Sequence, residues 1–308
     1  MEIALQFVLL ALGFVMLGKG ADWFVEGAAG IAMRFGIPQL VIGLTIVAMG
    51  TSAPEAAVSI AAAVKGNADI TIGNIVGSNI LNILVILGLA ASVVPIAVAR
   101  STVRIEIPFM IGVTALLFYQ GRDSSISLAD GGVLMVAFAA YMMYLYTMAM
   151  KSNVDSDLEE PGLPLGRCLL GAVGGLALII AGSNVTVGAA TSIATYAGLS
   201  ERFSGLTIVA LGTSLPELFT SVAAARRGNA DIAIGNIVGS NIFNILFVVG
   251  LSSLIIDIPF ASAFNFDTYV ALGAAVLLWL CVLRTQRLQR WAGALMLMCY
   301  AAYLGYIL

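Results

Sequence analysis

Long apolar runs separated by short polar joints dominate this chain. A helix that crosses a bilayer needs about 20 predominantly apolar residues. Most joints carry Gly, Pro or charged residues, as at 35–38 and 65–67. The pattern predicts an all-α polytopic membrane protein with ten transmembrane helices. The candidate spans lie near 3–33, 38–64, 69–95, 103–120, 128–149, 166–196, 203–225, 231–256, 267–283 and 290–308.

One sustained polar stretch interrupts the apolar pattern, from Lys151 to Pro164 near the middle of the chain. It contains four acidic residues and two prolines, a composition typical of a linker. We therefore predict a first five-helix half at 1–150, an acidic linker at 151–165 and a second five-helix half at 166–308.

Composition supports the membrane assignment and excludes several kinds of chemistry. Hydrophobic residues make up 60% and charged residues 10% of the chain, against about 45–50% and about 25% in soluble domains. The absence of histidine excludes Ser–His dyads, histidine metal sites and histidine proton relays. The net charge of −3 and the scattered basic residues predict no nucleic-acid partner. Three cysteines lie in apolar runs without metal-like spacing, and we expect them to be structural. They are Cys168, Cys281 and Cys299.

The basic residues predict the orientation of the spans. The first apolar run continues past residue 30 without a basic n-region or a cleavage site, so we expect a spanning helix and not a cleaved signal. Cytoplasmic loops carry an excess of Lys and Arg. This rule predicts a multi-pass protein of the cell (inner) membrane with both termini extracytoplasmic and a cytoplasmic linker. On the side opposite the termini lie Arg34, Arg100, Arg104, Lys151, Arg167, Arg226, Arg227, Arg284, Arg287 and Arg290; on the side of the termini lie Lys65, Arg122 and Arg202.

An internal repeat relates the two halves. Residues 43–88 align without a gap to residues 205–250 at a constant offset of 162, and 33 of the 46 positions are identical. Because each half holds an odd number of predicted spans, the second copy enters the membrane from the opposite side. Inverted repeats of this kind are the architecture of many secondary transporters.

Each half carries Gly-Thr-Ser-x-Pro-Glu within an apolar span. Pro54 and Pro216 remove a backbone donor and clash with the carbonyl four residues earlier, so we expect the helix to break there. The break is expected to leave carbonyls near 48–51 and 210–213 without helical partners. Glu55 and Glu217 follow the two breaks directly. A carboxylate at bilayer depth is costly and indicates a functional site.

The following spans add a polar stripe in each half, at Asn74, Ser78 and Asn82 and at Asn236, Ser240 and Asn244. Such side chains often only bridge helices. Together with two carboxylates, hydroxyls and free carbonyls, they also form the all-oxygen shell that hard cations such as Ca²⁺ and Na⁺ prefer.

Two other polar features have simpler interpretations. Lys19 lies on turns adjacent to Asp22 and Glu26, which predicts a local ion pair. Tyr141, Tyr144 and Tyr146 are typical of an interfacial aromatic belt.

These paired motifs, Gly50-Thr51-Ser52-x-Pro54-Glu55 with Gly73-Asn74-Ile75-Val76-Gly77-Ser78-Asn79-Ile80-x-Asn82-Ile83 and their second copies, resemble the alpha repeats of the calcium/cation antiporter superfamily. Within it, the chain is most similar to the prokaryotic sodium/calcium exchanger branch. The resemblance implies Ca²⁺ extrusion in exchange for Na⁺ by alternating access, with spans 1 and 6 moving across the site.

The resemblance also implies roles for individual residues. Glu55 and Glu217 would be the carboxylates shared by Ca²⁺ and Na⁺, and the carbonyls of Thr51 and Thr213 would complete the Ca²⁺ site. Asn82 would lie at the middle position. The flanking Na⁺ sites would be lined by Ala48, Ser52, Ser78, Ala210, Thr213, Ser214 and Ser240.

One departure leaves the counter-ion open. The position of Asn244 is often Asp in the sodium/calcium branch, and here both halves carry Asn. Two carboxylates balance one Ca²⁺ or two Na⁺, and a third Na⁺ would bring uncompensated charge. Either Na⁺ exchange tolerates a net positive site, which we favour, or H⁺ is the counter-ion. A cation channel is a less favoured alternative, since pores usually need a ring of subunits, and an enzyme is not expected. No cofactor is predicted beyond the transported ions, and the oligomeric state is not assigned.

Overall fold

The computed structural model describes residues 2–66, 68–152, 163–197 and 210–307, and these are almost entirely helical. The α-helices in chain order are α1 (Glu2–Arg34), α2 (Gln39–Ile42), α3 (Ala48–Thr51), α4 (Ala53–Val64), α5 (Asp69–Ile80), α6 (Gly88–Val93), α7 (Ile107–Gln120), α8 (Leu128–Ser152), α9 (Leu165–Tyr196), α10 (Ala210–Thr213), α11 (Leu215–Arg226), α12 (Ala230–Phe243), α13 (Gly250–Ile255), α14 (Ala263–Leu283) and α15 (Arg290–Ile307).

Several of these helices are joined through π-helical segments, and four two-residue strands lie in the loops. The π-helical segments are Gly43–Val47, Leu81–Leu87, Thr102–Glu106 and Asn244–Val249, and a 3₁₀ turn covers Gly121–Asp123. The strands are β1 (Ile96–Ala97), β2 (Ser125–Ile126), β3 (Ile258–Pro259) and β4 (Arg287–Leu288).

Within the described ranges, seven helices are long and apolar enough to cross a membrane, and one bent helix pair counts as an eighth span. The prediction of a polytopic all-α membrane protein is therefore confirmed. The remaining two predicted spans are represented by α15, which has 18 residues, and by α10 with α11. The start of that span at 203–209, Arg202 and most of the linker 151–165 lie outside the described residues.

Two short strand pairs show that the halves are inverted. β1 pairs antiparallel with β4, placing Ile96 opposite Leu288, and β2 pairs with β3, placing Ile126 opposite Ile258. At the repeat offset of 162, the residues of β1 correspond to those of β3, and the residues of β2 correspond to those of β4. Because the span formed by 102–123 separates β1 from β2, β1 and its repeat copy β3 lie at opposite ends of that span. Equivalent segments on opposite sides are the signature of an inverted repeat.

The repeated sequence forms the centre of the molecule. In the most apolar 18-residue window of the span Ala230–Ile255, 94% of the residues are buried. In the corresponding window of Thr71–Val93, 78% are buried. In α1 and α8 the corresponding share is 17%. The two spans that carry the Asn and Ser stripes are therefore enclosed by other helices, and α1 and α8 lie at the periphery.

The equivalent helices α1 and α9 pack against each other along a seam of glycines. A Cβ at Gly20 would lie 2.9 Å from the Gly175 carbonyl oxygen, and a Cβ at Gly27 would lie 2.4 Å from the Ala172 amide nitrogen. Small residues let the two backbones approach this closely. The seam holds α1 and α9 together as a pair at the periphery.

The acidic residues of α1 pair differently from the expectation. Arg227, between α11 and α12, bonds to Asp22 at 3.2 Å and to Glu26 at 3.1 Å. The predicted pair with Lys19 is therefore replaced by an ion pair with Arg227 of the second half. Helical spacing within α1 could not predict a partner so distant in sequence. This contact places the loop 226–229 beside the C-terminal half of α1, which is consistent with the predicted topology.

Candidate cation site

The repeated Thr-Ser-x-Pro sequence breaks its helix in both halves. Ser52 has φ −82° and ψ 4°, and Ser214 has φ −91° and ψ 4°, so both leave the helical conformation just before the proline-containing turn. In the first half the two sides of the break, Gln39–Thr51 and Ala53–Val64, are bent by 51°. Proline at the second position of the new helix causes this break, since its nitrogen has no proton to donate.

The expectation for the backbone carbonyls was wrong at Ala48. Its oxygen keeps a helical partner, the Ser52 amide at 3.0 Å. It also accepts hydrogen bonds from the hydroxyls of Thr51 and Ser240, both at 3.3 Å. The helix therefore continues to Thr51, and the break lies at Ser52.

Glu55 and Glu217 lie at the two breaks, and each is 1% exposed. Ser52 Oγ donates to Glu217 Oε1 at 2.8 Å, and Ser214 Oγ donates to Glu55 Oε1 at 3.4 Å. The serine of each half thus donates a hydrogen bond to the carboxylate of the other half. The second oxygen of each carboxylate, Oε2, is buried and has no hydrogen-bond partner within the described chain.

A cross-linked group of four asparagines lies beside the carboxylates. Asn82 Nδ2 donates to Asn241 Oδ1 at 2.9 Å, and Asn244 Nδ2 donates to Asn79 Oδ1 at 3.1 Å. Asn79 and Asn241 donate in turn to each other's backbone oxygen at 3.2 and 3.3 Å. These bonds use the amide protons of Asn82 and Asn244 and leave their Oδ1 atoms buried without a partner among the described residues.

Another pair of asparagines braces the helices that carry the carboxylates. Asn74 Nδ2 donates to Ser59 Oγ at 2.9 Å, and Asn236 Nδ2 donates to Ser221 Oγ at the same distance. Asn236 Oδ1 also accepts from Thr51 Oγ1 at 3.0 Å. The amide groups of these two residues hold neighbouring helices together, which is the interhelical role that such residues commonly have.

The remaining predicted residues lie in the same region. Ser78 is 4% exposed and Ser240 is fully buried, and Thr213 belongs to α10, directly before the second break. Ala210 begins α10, but its side chain is outside the described part. Sequence reasoning missed the positioning roles of Ser59, Ser221, Asn79 and Asn241, although each of them recurs in both copies of the repeat.

The chemistry of this site is that of a hard-cation site. The four unpartnered atoms, Oε2 of both glutamates and Oδ1 of Asn82 and Asn244, are all oxygens without a proton to donate when the glutamates are ionised. Within the described ranges, neither glutamate has a salt-bridge partner and no group of three His, Cys, Asp or Glu residues forms a metal cluster. A charge of −2 with oxygen ligands suits Ca²⁺ or Na⁺.

Comparisons with known proteins identify the family to which the chain is similar. Residues 5–147 and 168–308 match the family described as sodium/calcium exchanger protein. The chain is 40% identical over 314 residues to a putative antiporter, CaxA of Alkalimonas amylolytica, covering 98% of both chains. It is 33% identical over 345 residues to the sodium/calcium exchanger MaX1 of Methanosarcina acetivorans, again covering 98% of both. A solved structure of the sodium-calcium exchanger NCX_Mj superposes with a TM-score of 0.87 at 32% identity, covering 99% of this chain and 100% of the other.

Proposed function

Because the chain belongs to the sodium/calcium exchanger protein family, we propose that it exchanges Ca²⁺ for Na⁺ across a membrane through the site between Glu55 and Glu217. The observation that carries this proposal is the pair of buried carboxylates, each bonded by the serine of the opposite half and each with one free oxygen. Two inverted halves that share one central site are suited to exposing it to either side in turn.

The ligands are divided between the two ions. Glu55 and Glu217 bind both Ca²⁺ and Na⁺, and the backbone carbonyls of Thr51 and Thr213 complete the Ca²⁺ site. Asn82 and Asn244 contribute their free Oδ1 atoms at the middle of the site. The flanking Na⁺ positions are lined by Ala48, Ser52, Ser78, Ala210, Thr213, Ser214 and Ser240.

Coupling follows from competition for the same carboxylates. Two ionised glutamates neutralise one Ca²⁺ or two Na⁺, so a fully bound Ca²⁺ and a full complement of Na⁺ exclude each other. An ion arriving from one side then displaces the ion bound from the other side. No further chemistry is required, because the energy for transport comes from the gradient of the counter-ion.

The peripheral pair α1 and α9 is the element that we propose to move. These helices touch each other along the glycine seam and contribute few oxygen atoms to the site. One connection is Ser183 of α9, whose hydroxyl donates to the Gly212 carbonyl at 2.7 Å, directly before the second break. Displacement of the pair across the central helices opens the site first to one side and then to the other.

The basic residues favour an orientation with both termini outside the cytoplasm and the linker 151–165 inside it. In the cell (inner) membrane of a bacterium or archaeon, an inward Na⁺ gradient then drives Ca²⁺ out of the cytoplasm.

The decisive experiment is ⁴⁵Ca²⁺ uptake into proteoliposomes under three conditions: an outward Na⁺ gradient, a pH gradient alone, and no gradient. We expect uptake with the Na⁺ gradient only, and Glu55→Gln is expected to abolish it. Asp123→Asn, which changes an acid in the 3₁₀ turn outside the site, is the matched control and is expected to transport normally. Uptake driven only by the pH gradient would identify H⁺ as the counter-ion, and uptake under neither gradient would refute Ca²⁺ antiport.

A further inference from the structure

A third buried carboxylate lies outside the exchange site. Glu106 belongs to the span 102–123 and is fully buried. Its Oε1 accepts a hydrogen bond from the hydroxyl of Tyr144 on α8. Its Oε2 has no hydrogen-bond partner among the residues described. An intramembrane carboxylate without a cationic partner indicates a functional group by default.

Two further unpartnered oxygens belong to the same cluster. Thr102, at the other end of the same π-helical segment, is fully buried, and its hydroxyl has no partner in the described part of the chain. The same holds for the hydroxyl of Tyr141, which is 5% exposed. Glu106, Tyr141 and Tyr144 line one cavity of about 160 Å³ between this span and α8.

This finding corrects the interpretation of the tyrosines as an interfacial belt. Tyr141 is buried and Tyr144 is half-buried, and their rings stack at 6.4 Å between centroids. Tyr146, by contrast, is 61% exposed. Only Tyr146 faces outward as a belt residue does. Tyr144 donates its hydroxyl proton to Glu106, and Tyr141 lines the same cavity as that carboxylate.

The backbone around Glu106 is also irregular. The segment Thr102–Glu106 is π-helical, and such turns are frequent at functional sites. The carbonyl oxygen of Val103 accepts a hydrogen bond from Trp279 Nε1 of α14 at 2.8 Å. The indole therefore reports directly on the conformation of this turn.

We propose that Glu106, with the hydroxyls of Thr102, Tyr141 and Tyr144, binds one monovalent cation, Na⁺ or H⁺, at a second site in the membrane. The donors are oxygens, and the single carboxylate supplies one negative charge. Arg104, the nearest basic residue in sequence, is exposed, and no salt bridge to Glu106 is formed among the described residues. Ca²⁺ does not suit the site, because it would retain an uncompensated charge and takes about 6–8 oxygen ligands.

The corresponding region of the second half is arranged differently. The repeat offset of 162 relates Glu106 to Thr268, whose hydroxyl donates to the Phe264 carbonyl of its own helix at 2.7 Å. The acid of the second half lies one position earlier: Asp267 is half-buried and accepts a hydrogen bond at 2.8 Å from the hydroxyl of Tyr303, the repeat copy of Tyr141. Among the described residues, Glu106 has a buried oxygen without a partner and Asp267 has none. Cation binding at Glu106 does not involve Glu55 or Glu217. This proposal is therefore independent of the proposed exchange.

Labelling with dicyclohexylcarbodiimide tests the proposal, because this apolar reagent adds only to a protonated carboxyl. The acid oxygen forms a bond to the carbodiimide carbon and the proton goes to nitrogen, so no co-reactant is needed. Peptide mass mapping of the whole protein separates Glu106 from Glu55 and Glu217. We expect Glu106 to be modified at low pH without Na⁺. Protection by Na⁺ at constant pH identifies Na⁺ as the ligand. H⁺ is identified if Na⁺ does not protect and Tyr141→Phe shifts the pH at which labelling of Glu106 is half-maximal.

Tryptophan fluorescence provides the second measurement. With Trp23 and Trp291 replaced by Phe, Trp279 is the one remaining tryptophan of the three in the chain. Its emission is expected to respond to Na⁺ or pH, and Glu106→Gln is expected to abolish the response.

Variants that each remove one hydroxyl oxygen provide a test that does not depend on the folding of Glu106→Gln. Tyr141→Phe removes one oxygen and is expected to shift the half-maximal Na⁺ or H⁺ concentration by about tenfold, whereas the exposed control Tyr146→Phe is expected to leave it unchanged. The proposal is overturned if neither the labelling of Glu106 nor the Trp279 emission responds to Na⁺ or pH. It is equally overturned if Tyr141→Phe and Tyr146→Phe give the same half-maximal concentrations as the unmodified protein.

Discussion

Replacing Glu217 by glutamine removes one of the two charges at the proposed exchange site while preserving its shape. The amide oxygen of glutamine still accepts the hydrogen bond that Ser52 Oγ donates at 2.8 Å, so folding is expected to be little affected. The carboxylate is 1% exposed, and water therefore screens its charge weakly. A carboxylate about 4 Å from a monovalent cation contributes about 4 kcal/mol at an effective dielectric constant of about 20, and about 8 kcal/mol for a divalent cation.

These energies correspond to losses in affinity of about 10³-fold for Na⁺ and about 10⁶-fold for Ca²⁺, since about 1.4 kcal/mol is one factor of ten. On a logarithmic scale, the variant is expected to lose about twice as much Ca²⁺ affinity as Na⁺ affinity. Isothermal titration of the purified protein with each ion measures both losses, and Asp123→Asn is the control for a charge removed elsewhere. A Glu217→Gln protein that binds Ca²⁺ within tenfold of the unmodified protein would refute the two-carboxylate site.

Three further predictions concern the glycine seam, the Asn236 network and the Arg227 ion pairs, and each is tested by thermal unfolding in detergent. Gly175→Ala would bring a Cβ within 2.4 Å of the Phe24 amide nitrogen, and we expect it to destabilise the seam by about 1–3 kcal/mol. The neighbouring Gly174→Ala meets nothing within 4 Å among the described residues and is expected to be neutral, so equal effects of the two would contradict the seam. Asn236→Ala leaves several buried partners unpaired and is expected to cost about 1–3 kcal/mol. Arg227→Gln breaks only exposed ion pairs, so a loss above about 1 kcal/mol would be unexpected.

The fold class could be predicted from local sequence, and so could the two buried carboxylates on which the proposed exchange site rests. Apolar run length reflects the thickness of the bilayer, and the offset of 162 between repeat copies requires no knowledge of contacts. Pro54 and Pro216 identify the two helix breaks because proline acts on its own helix. Glu55 and Glu217 were recognisable because a carboxylate at bilayer depth is costly wherever its helix packs.

The partners of these residues were decided only by tertiary structure. Ser52 bonds to Glu217, 165 positions away, and the sequence has no means of showing that each serine crosses to the opposite half. The amides of Asn79 and Asn241 decide which oxygens of Asn82 and Asn244 remain free. The Glu106 cluster likewise exists only where α8 packs on its neighbour. Hydropathy and proline geometry are properties of one helix in lipid, whereas a ligand shell depends on which faces of several helices meet, and that is set by packing.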